Sequence, residues 1–183
     1  MSEEVLIKHC SPTLAGMKTG NMFTYSYKST DEMRNTVRFW NRALSSKGLR
    51  ALPLKYDSKK ALIYLYRPTL LLKDLQNKTA CQILRKCGYK QSTPERCIAQ
   101  LVRRMSECSE FPHEVGLFLG YPPEDVYGFI KNKAHCCKCC GCWKVYGDEE
   151  AAKKTFEKYK KCTEIYYNQY VNGNTIERLT VAD

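Results

Sequence analysis

The residues best suited to chemistry fall in three short segments. The first is His9-Cys10-Ser11-Pro12-Thr13. Ser11 before Pro12 has the form of a helix N-cap followed by proline at the first helical position. Free backbone N–H groups at such a start attract anions and lower a thiol's pKa, which would make Cys10 a thiolate nucleophile or redox thiol. His9, Ser11, Thr13, Lys18, Thr19 and Asn21 would then surround an anionic ligand in the His9–Asn21 loop. A buried structural cysteine beside a capping serine accounts for the same residues.

The second segment is Pro112-His113-Glu114. In a first helical turn the dipole favours neutral imidazole, so His113 could act as a base toward Cys10, with Glu114 beside it. Adjacent residues do not share a helix face, so this is not a zinc-protease pattern. Arg67 at a strand end, Trp143 and Lys144 complete the set expected to converge on the ligand.

The third is His135-Cys136-Cys137-Lys138-Cys139-Cys140-Gly141-Cys142, with three overlapping Cys-x-x-Cys pairs. Thiolates at that spacing clasp zinc or iron, and His135, Cys136, Cys139 and Cys142 are the expected ligands. A metal-binding or thiol-redox protein is the alternative reading this cluster carries; exposed loop thiols without a ligand are the plain one. Cys81, Cys87, Cys97 and Cys108 lie near apolar stripes and read as core fillers.

These segments need elements to position them. Val5–Cys10 alternates like a strand, with a brief helix from Ser11, and Met22–Tyr27 reads as a second strand. Ser29-Thr30-Asp31-Glu32 has capping-box spacing and opens a helix with the stripe Met33, Val37, Trp40 and Leu44, closed by Gly48. Leu49–Tyr56 and Lys60–Arg67 form a hairpin around Asp57-Ser58-Lys59. Helices follow over Leu70–Asn77 and Thr79–Cys87, after Ser92-Thr93-Pro94-Glu95, from Pro112 to Gly120 and from Pro122-Pro123-Glu124-Asp125. Trp143–Tyr146 is a strand, and Asp148 caps the longest helix, with Phe156, Tyr159, Thr163, Tyr166 and Tyr170 inward. The pattern predicts a single α+β domain over 1–183, a mixed or antiparallel sheet of about five strands covered by helices.

At 183 residues, 43% apolar and 27% charged, the composition is that of a globular domain with a substantial core. No apolar run reaches the roughly 18 residues of a membrane span. The acidic start Met1-Ser2-Glu3-Glu4 is unlike a secretory signal, so a cytoplasmic location is expected, with the 11 cysteines as thiols or metal ligands. The net charge of +11 sits in residues 1–91, which hold 17 Lys/Arg against 6 Asp/Glu. That asymmetry suits an anionic ligand or a solvated basic face, and nucleic acid less well. Phosphate-loop, dinucleotide-glycine and serine-elbow patterns are missing from the sequence.

Several strings also recur together: His9-Cys10-Ser11-Pro12-Thr13-Leu14-Ala15-Gly16, Pro112-His113-Glu114-Val115-Gly116-Leu117-Phe118-Leu119-Gly120-Tyr121-Pro122-Pro123-Glu124-Asp125-Val126, and Trp143-Lys144-Val145-Tyr146-Gly147-Asp148. They resemble an uncharacterised domain-of-unknown-function family of small cytosolic proteins from anaerobic bacteria, over nearly the whole chain. The resemblance implies redox or metal physiology, through an association with flavodoxin and ferrous-iron uptake genes, and a redox partner such as flavodoxin.

Overall fold

The computed structural model describes residues 2–90, 93–107 and 111–183; Ser92 and Cys108 lie outside the described residues. Backbone contacts divide the chain into two compact units, 1–70 with 161–183, and 71–160.

The first unit begins with a helix where a strand was expected. α1 spans Ser2–Leu14 without a break. Its buried residues Leu6, Ile7, Cys10 and Leu14 recur at helical spacing, while Lys8 and His9 are exposed. Over six residues a period of 2 and one of 3.6 are hard to separate, and the Glu4–Lys8 ion pair at 2.7 Å supports the helix. The helix start expected at Ser11 is therefore absent. Pro12 lies in the last turn, and the buried Ser11 hydroxyl donates to Ile7 O at 2.5 Å.

The following elements match their sequence signals. β1 (Gly20–Ser26), β2 (Arg50–Tyr56) and β3 (Lys60–Tyr66) form an antiparallel sheet in the order β1-β3-β2. α2 (Thr30–Leu44) begins with Ser29 Oγ accepting from Glu32 N, while the Glu32 carboxylate accepts from Lys28 N. Its buried stripe is Met33, Val37, Trp40 and Leu44. These pack in one core with Ala61, Ile63 and Leu65 of β3, the period-2 inner face of that strand. Asp57 shapes the β2–β3 turn, its Oδ1 accepting from Lys59 N and Lys60 N at 2.9 Å. Asn41 on α2 exchanges two hydrogen bonds with the backbone of Ala51: Nδ2 donates to its carbonyl at 2.9 Å, and Oδ1 accepts from its N–H at 2.8 Å. The short α9 (Ile176–Leu179) adds Ile176 to the same core.

The second unit is mainly helical. α3 (Pro68–Leu75) leads into it, followed by α4 (Lys78–Lys86), α5 (Pro94–Glu107), α6 (Val115–Phe118) and α7 (Pro123–Lys131). The apolar stripe of α5 buries Ile98, Leu101 and Met105, and Cys97 joins it as a small core filler. β4 (Cys139–Cys140) and β5 (Lys144–Val145) make a two-stranded hairpin. α8 (Glu149–Val171) contributes its first part, to Lys160, to this unit and the remainder to the first. The expected inner residues Phe156, Tyr159, Thr163, Tyr166 and Tyr170 are half-buried along it. The architecture is α+β, with about five antiparallel strands in all, divided between the three-stranded sheet and the hairpin.

Candidate functional site: an aromatic cavity at the cysteine hairpin

The cysteine-rich segment folds by backbone pairing. Cys139 faces Val145 and Cys140 faces Lys144; Lys138 N donates to Val145 O at 2.8 Å, and Gly141 N to Trp143 O at 3.0 Å. Before it, Lys133, Ala134 and Cys136 adopt left-handed backbone (φ 46, 64 and 57°), a conformation costing roughly 1 kcal/mol for a residue with Cβ. Lys144 Nζ donates to Ala134 O at 2.8 Å and ties that turn to β5.

Asp125, in the first turn of α7, holds the hairpin in place. Its buried carboxylate accepts from Trp143 Nε1, Tyr146 N and Gly147 N, each at 2.7 Å. Trp143 is then clasped by rings, stacked on Tyr121 (centroids 4.9 Å apart) and edge-on to Phe156 (4.5 Å). At Gly141 a Cβ would come within 2.3 Å of the Phe156 ring, so the hairpin tip approaches α8 as closely as glycine permits.

Between this hairpin and helices α6 and α7 lies a cavity of about 350 Å³. Phe111, Tyr121, Phe129 and Trp143 give it aromatic walls. His113, Lys144, Cys140 and Cys142 also line it, and the His113 ring meets Phe129 edge-on at 5.0 Å. A cavity of this size, mostly apolar with a few polar groups, has the form of a small-molecule site.

Of the residues singled out by sequence, the structure brings His113, Trp143 and Lys144 together here, with two thiols of the cysteine cluster. Glu114 faces elsewhere: its buried carboxylate accepts from Arg104 Nε at 2.7 Å and from Tyr89 OH at 3.1 Å. Cys139 does not line the cavity. Among the described residues no three of His, Cys, Asp or Glu group closely enough to hold a metal ion, and this applies to His135, Cys136, Cys139 and Cys142.

The His9–Asn21 residues belong to the first unit. His9 stacks on Phe23 at 5.7 Å, Thr13 Oγ1 donates to Asn21 Oδ1 at 2.7 Å, and Lys18 and Thr19 are buried. Cys10 is fully buried in the third turn of α1, and loss of hydration pushes its thiol pKa well up, against a smaller downward pull from Lys18. Arg67 is buried with every N–H engaged. Nε donates to Thr13 O (2.8 Å), Nη2 to Leu14 O (2.8 Å) and Val181 O (2.7 Å), and Nη1 to Lys47 O (3.4 Å) and the Asp183 carboxylate.

Sequence reasoning passed over Asp125, Tyr121 and Phe129. Asp125 follows Pro122-Pro123-Glu124 and looks there like an ordinary first-turn acid; its use by a hairpin some 20 residues later leaves no local signal.

Burial gives a pH-dependence that can be signed. The Tyr121 and Tyr159 hydroxyls are pushed up to about 12, and Cys10 is raised further, in each case chiefly by desolvation. An unfolded chain releases these protons near pH 8.5 (Cys) and 10 (Tyr), so above those values the folded state binds more protons than the unfolded one. Stability from these groups is complete below about pH 8 and falls as pH rises through 9 to 12. Urea unfolding at pH 7.5, 9 and 10.5 should give successively lower midpoints; a midpoint unchanged at pH 10.5 contradicts this.

The model for the family described as "Protein of unknown function (DUF3793)" matches residues 6–180. No curated protein and no solved structure matches the chain. Among the described residues no helix is long and apolar enough to cross a membrane.

Proposed function

Because the chain belongs to the DUF3793 family of unknown function, whose name assigns no chemistry, we propose a function from the cavity at the cysteine hairpin. It binds a small, planar, largely apolar molecule that carries an anionic group. The observation that carries this reading is the meeting of four aromatic rings with His113 and Lys144 around a space of about 350 Å³. The rings offer stacking faces to a planar ligand, and the Lys144 ammonium attracts an anionic substituent while anchored to Ala134 O through one of its three N–H groups. The small anionic ligand anticipated at His9–Asn21 is thus reassigned to the other unit. There Lys144 lines the cavity with one N–H on Ala134 O, whereas the Arg67 guanidinium donates all its N–H groups inside the fold.

Anilinonaphthalene sulfonate combines a planar aromatic body with one anion and serves as the probe. Saturable binding at one site is expected. Phe129→Ala should weaken it about tenfold, equivalent to about 1.4 kcal/mol. Lys144→Met should remove the salt-dependent part of the affinity. Far-UV circular dichroism and Tm identify any variant that has merely loosened. Unsaturable binding, or binding unaffected by both substitutions in folded protein, refutes the assignment.

A further inference from the structure

We infer that Cys140 and Cys142 form a redox dithiol that exchanges with a low-molecular-weight disulfide entering the cavity. The inference goes beyond the reading of that cavity as a binding site: it concerns the two exposed thiols in its lining and holds for a small disulfide whether or not that disulfide is the planar ligand.

Five cysteines in seven residues look equivalent in sequence, and the hairpin separates them. Cys140 ends β4 and Cys142 lies in the turn two residues on, and both line the cavity. Cys137 and Cys139 are the other pair two residues apart, and neither lines it. Accessibility and position together separate them: Cys140 and Cys142 are exposed and line the cavity, Cys136 is exposed but does not line it, Cys137 and Cys139 are half-buried, and Cys10, Cys97 and Cys162 are buried.

The spacing suits a bond. Even fully extended, residues two apart place their Cα atoms about 6.5 Å apart, within the disulfide range, and Cys142 lies past the end of β4 in the turn through Gly141 to Trp143, where the span is no longer than that. Gly141 adds no side chain between the two thiols, and its contact with the Phe156 ring fixes the tip that carries them. His113, across the cavity, is a proton acceptor for the attacking thiol.

The exchange balances in two steps. One cysteine, as thiolate, attacks a sulfur of R–S–S–R. A protein–S–S–R bond forms, the R–S–S–R bond breaks, and RS⁻ leaves and takes up the proton given by the attacking thiol. The second cysteine thiolate then attacks the protein sulfur of the mixed disulfide, closing Cys140–Cys142 and releasing the second RS⁻, which takes up the second proton. The protein dithiol loses two electrons and two protons; the small disulfide gains them and becomes two thiols.

The test uses fully reduced whole protein incubated anaerobically with oxidised glutathione, quenched by acid, alkylated and mapped by peptide mass spectrometry, with sulfonate-dye binding measured on the same samples. The expected product is a Cys140–Cys142 disulfide, two mass units lighter than the dithiol. Cys142→Ser should instead trap one glutathione on Cys140, or Cys140→Ser one on Cys142. A triple variant replacing Cys136, Cys137 and Cys139 with serine should react at a rate within about twofold of the parent. A 140–142 bond supports the inference whether or not the dye binds. Absence of that bond overturns the inference whether or not the dye binds, and dye binding in that sample leaves the binding reading standing. Glutathione captured only at Cys136, Cys137 or Cys139, with the triple variant inert, overturns it as well.

Discussion

Arg67→Ala is expected to lower the stability of the first unit by about 3–5 kcal/mol, the scale of a broken buried charge network. Arg67 is 1% exposed, and its five N–H groups reach Thr13, Leu14, Lys47, Val181 and the Asp183 carboxylate. It thus joins the end of α1, the turn after α2 and the segment after α9 from the end of β3. Truncation leaves those carbonyls without their shared donor and opens a side-chain-sized hole, and both effects act in the same direction. Arg67→Lys keeps the charge but replaces a planar fork of five donors with three on one nitrogen, and should recover less than half of the loss. Asp183→Ala removes the partly exposed ion pair and the hydrogen bond that its Oδ2 accepts from Thr69 Oγ1, leaves the four carbonyl contacts of Arg67 in place, and should cost about 1–2 kcal/mol, since Asp183 is 26% exposed. Urea unfolding followed by the fluorescence of Trp40, which lies in the core of this unit, measures all three. If Arg67→Ala falls within 1 kcal/mol of the parent, or Asp183→Ala costs as much as Arg67→Ala, the carbonyl network is not what makes Arg67 matter.

The second large effect is expected at Asp125. Asp125→Ala strands the indole N–H of Trp143 and the backbone N–H groups of Tyr146 and Gly147 at once, and at about 1–2 kcal/mol for each should cost about 3–5 kcal/mol. Asp125→Asn separates the two roles. Its amide oxygen can still accept from the two backbone groups, while its NH₂ then faces the Trp143 N–H, donor against donor. A loss of about 1–2 kcal/mol is expected, together with weaker dye binding, because Trp143 forms one wall of the cavity. Trp143 emission and dye titration report on this unit. Asp125→Ala unfolding at the parent's urea concentration, or Asp125→Asn binding the dye as the parent does, would show that the hairpin is held by something else.

Both residues show what was and was not legible in the sequence. α2 could be read because its cap and stripe are local and agree with each other, although Gly48 closes the 3-10 turn that follows it and not α2 itself. The β2–β3 hairpin could be read for the same reason, with Asp57 at the turn between two alternating runs. α1 misled because Ser11-Pro12, a start signal, sits inside its last turns, and because its apolar residues also fit a strand over a short window. For the site, His113, Trp143 and Lys144 stood out as unusual residues at element ends, and they do meet. Cys10, Ser11 and Arg67 stood out on the same ground and are used inside the fold. The difference lies in partners: Arg67 is satisfied by carbonyls up to 114 residues away, which no local window contains.

The paired hydrogen bonds between Asn41 and Ala51 bear on how the molecule behaves in a crowd. β2 is an outer strand of its sheet, and an unpaired strand edge invites another chain to dock and extend the ladder. Asn41 presents one donor and one acceptor at the spacing of a neighbouring strand and occupies that edge at Ala51, near its start, from within. An incoming strand would have to displace an intramolecular partner that pays no association entropy, so the fold carries its own plug against sheet-to-sheet aggregation on that side.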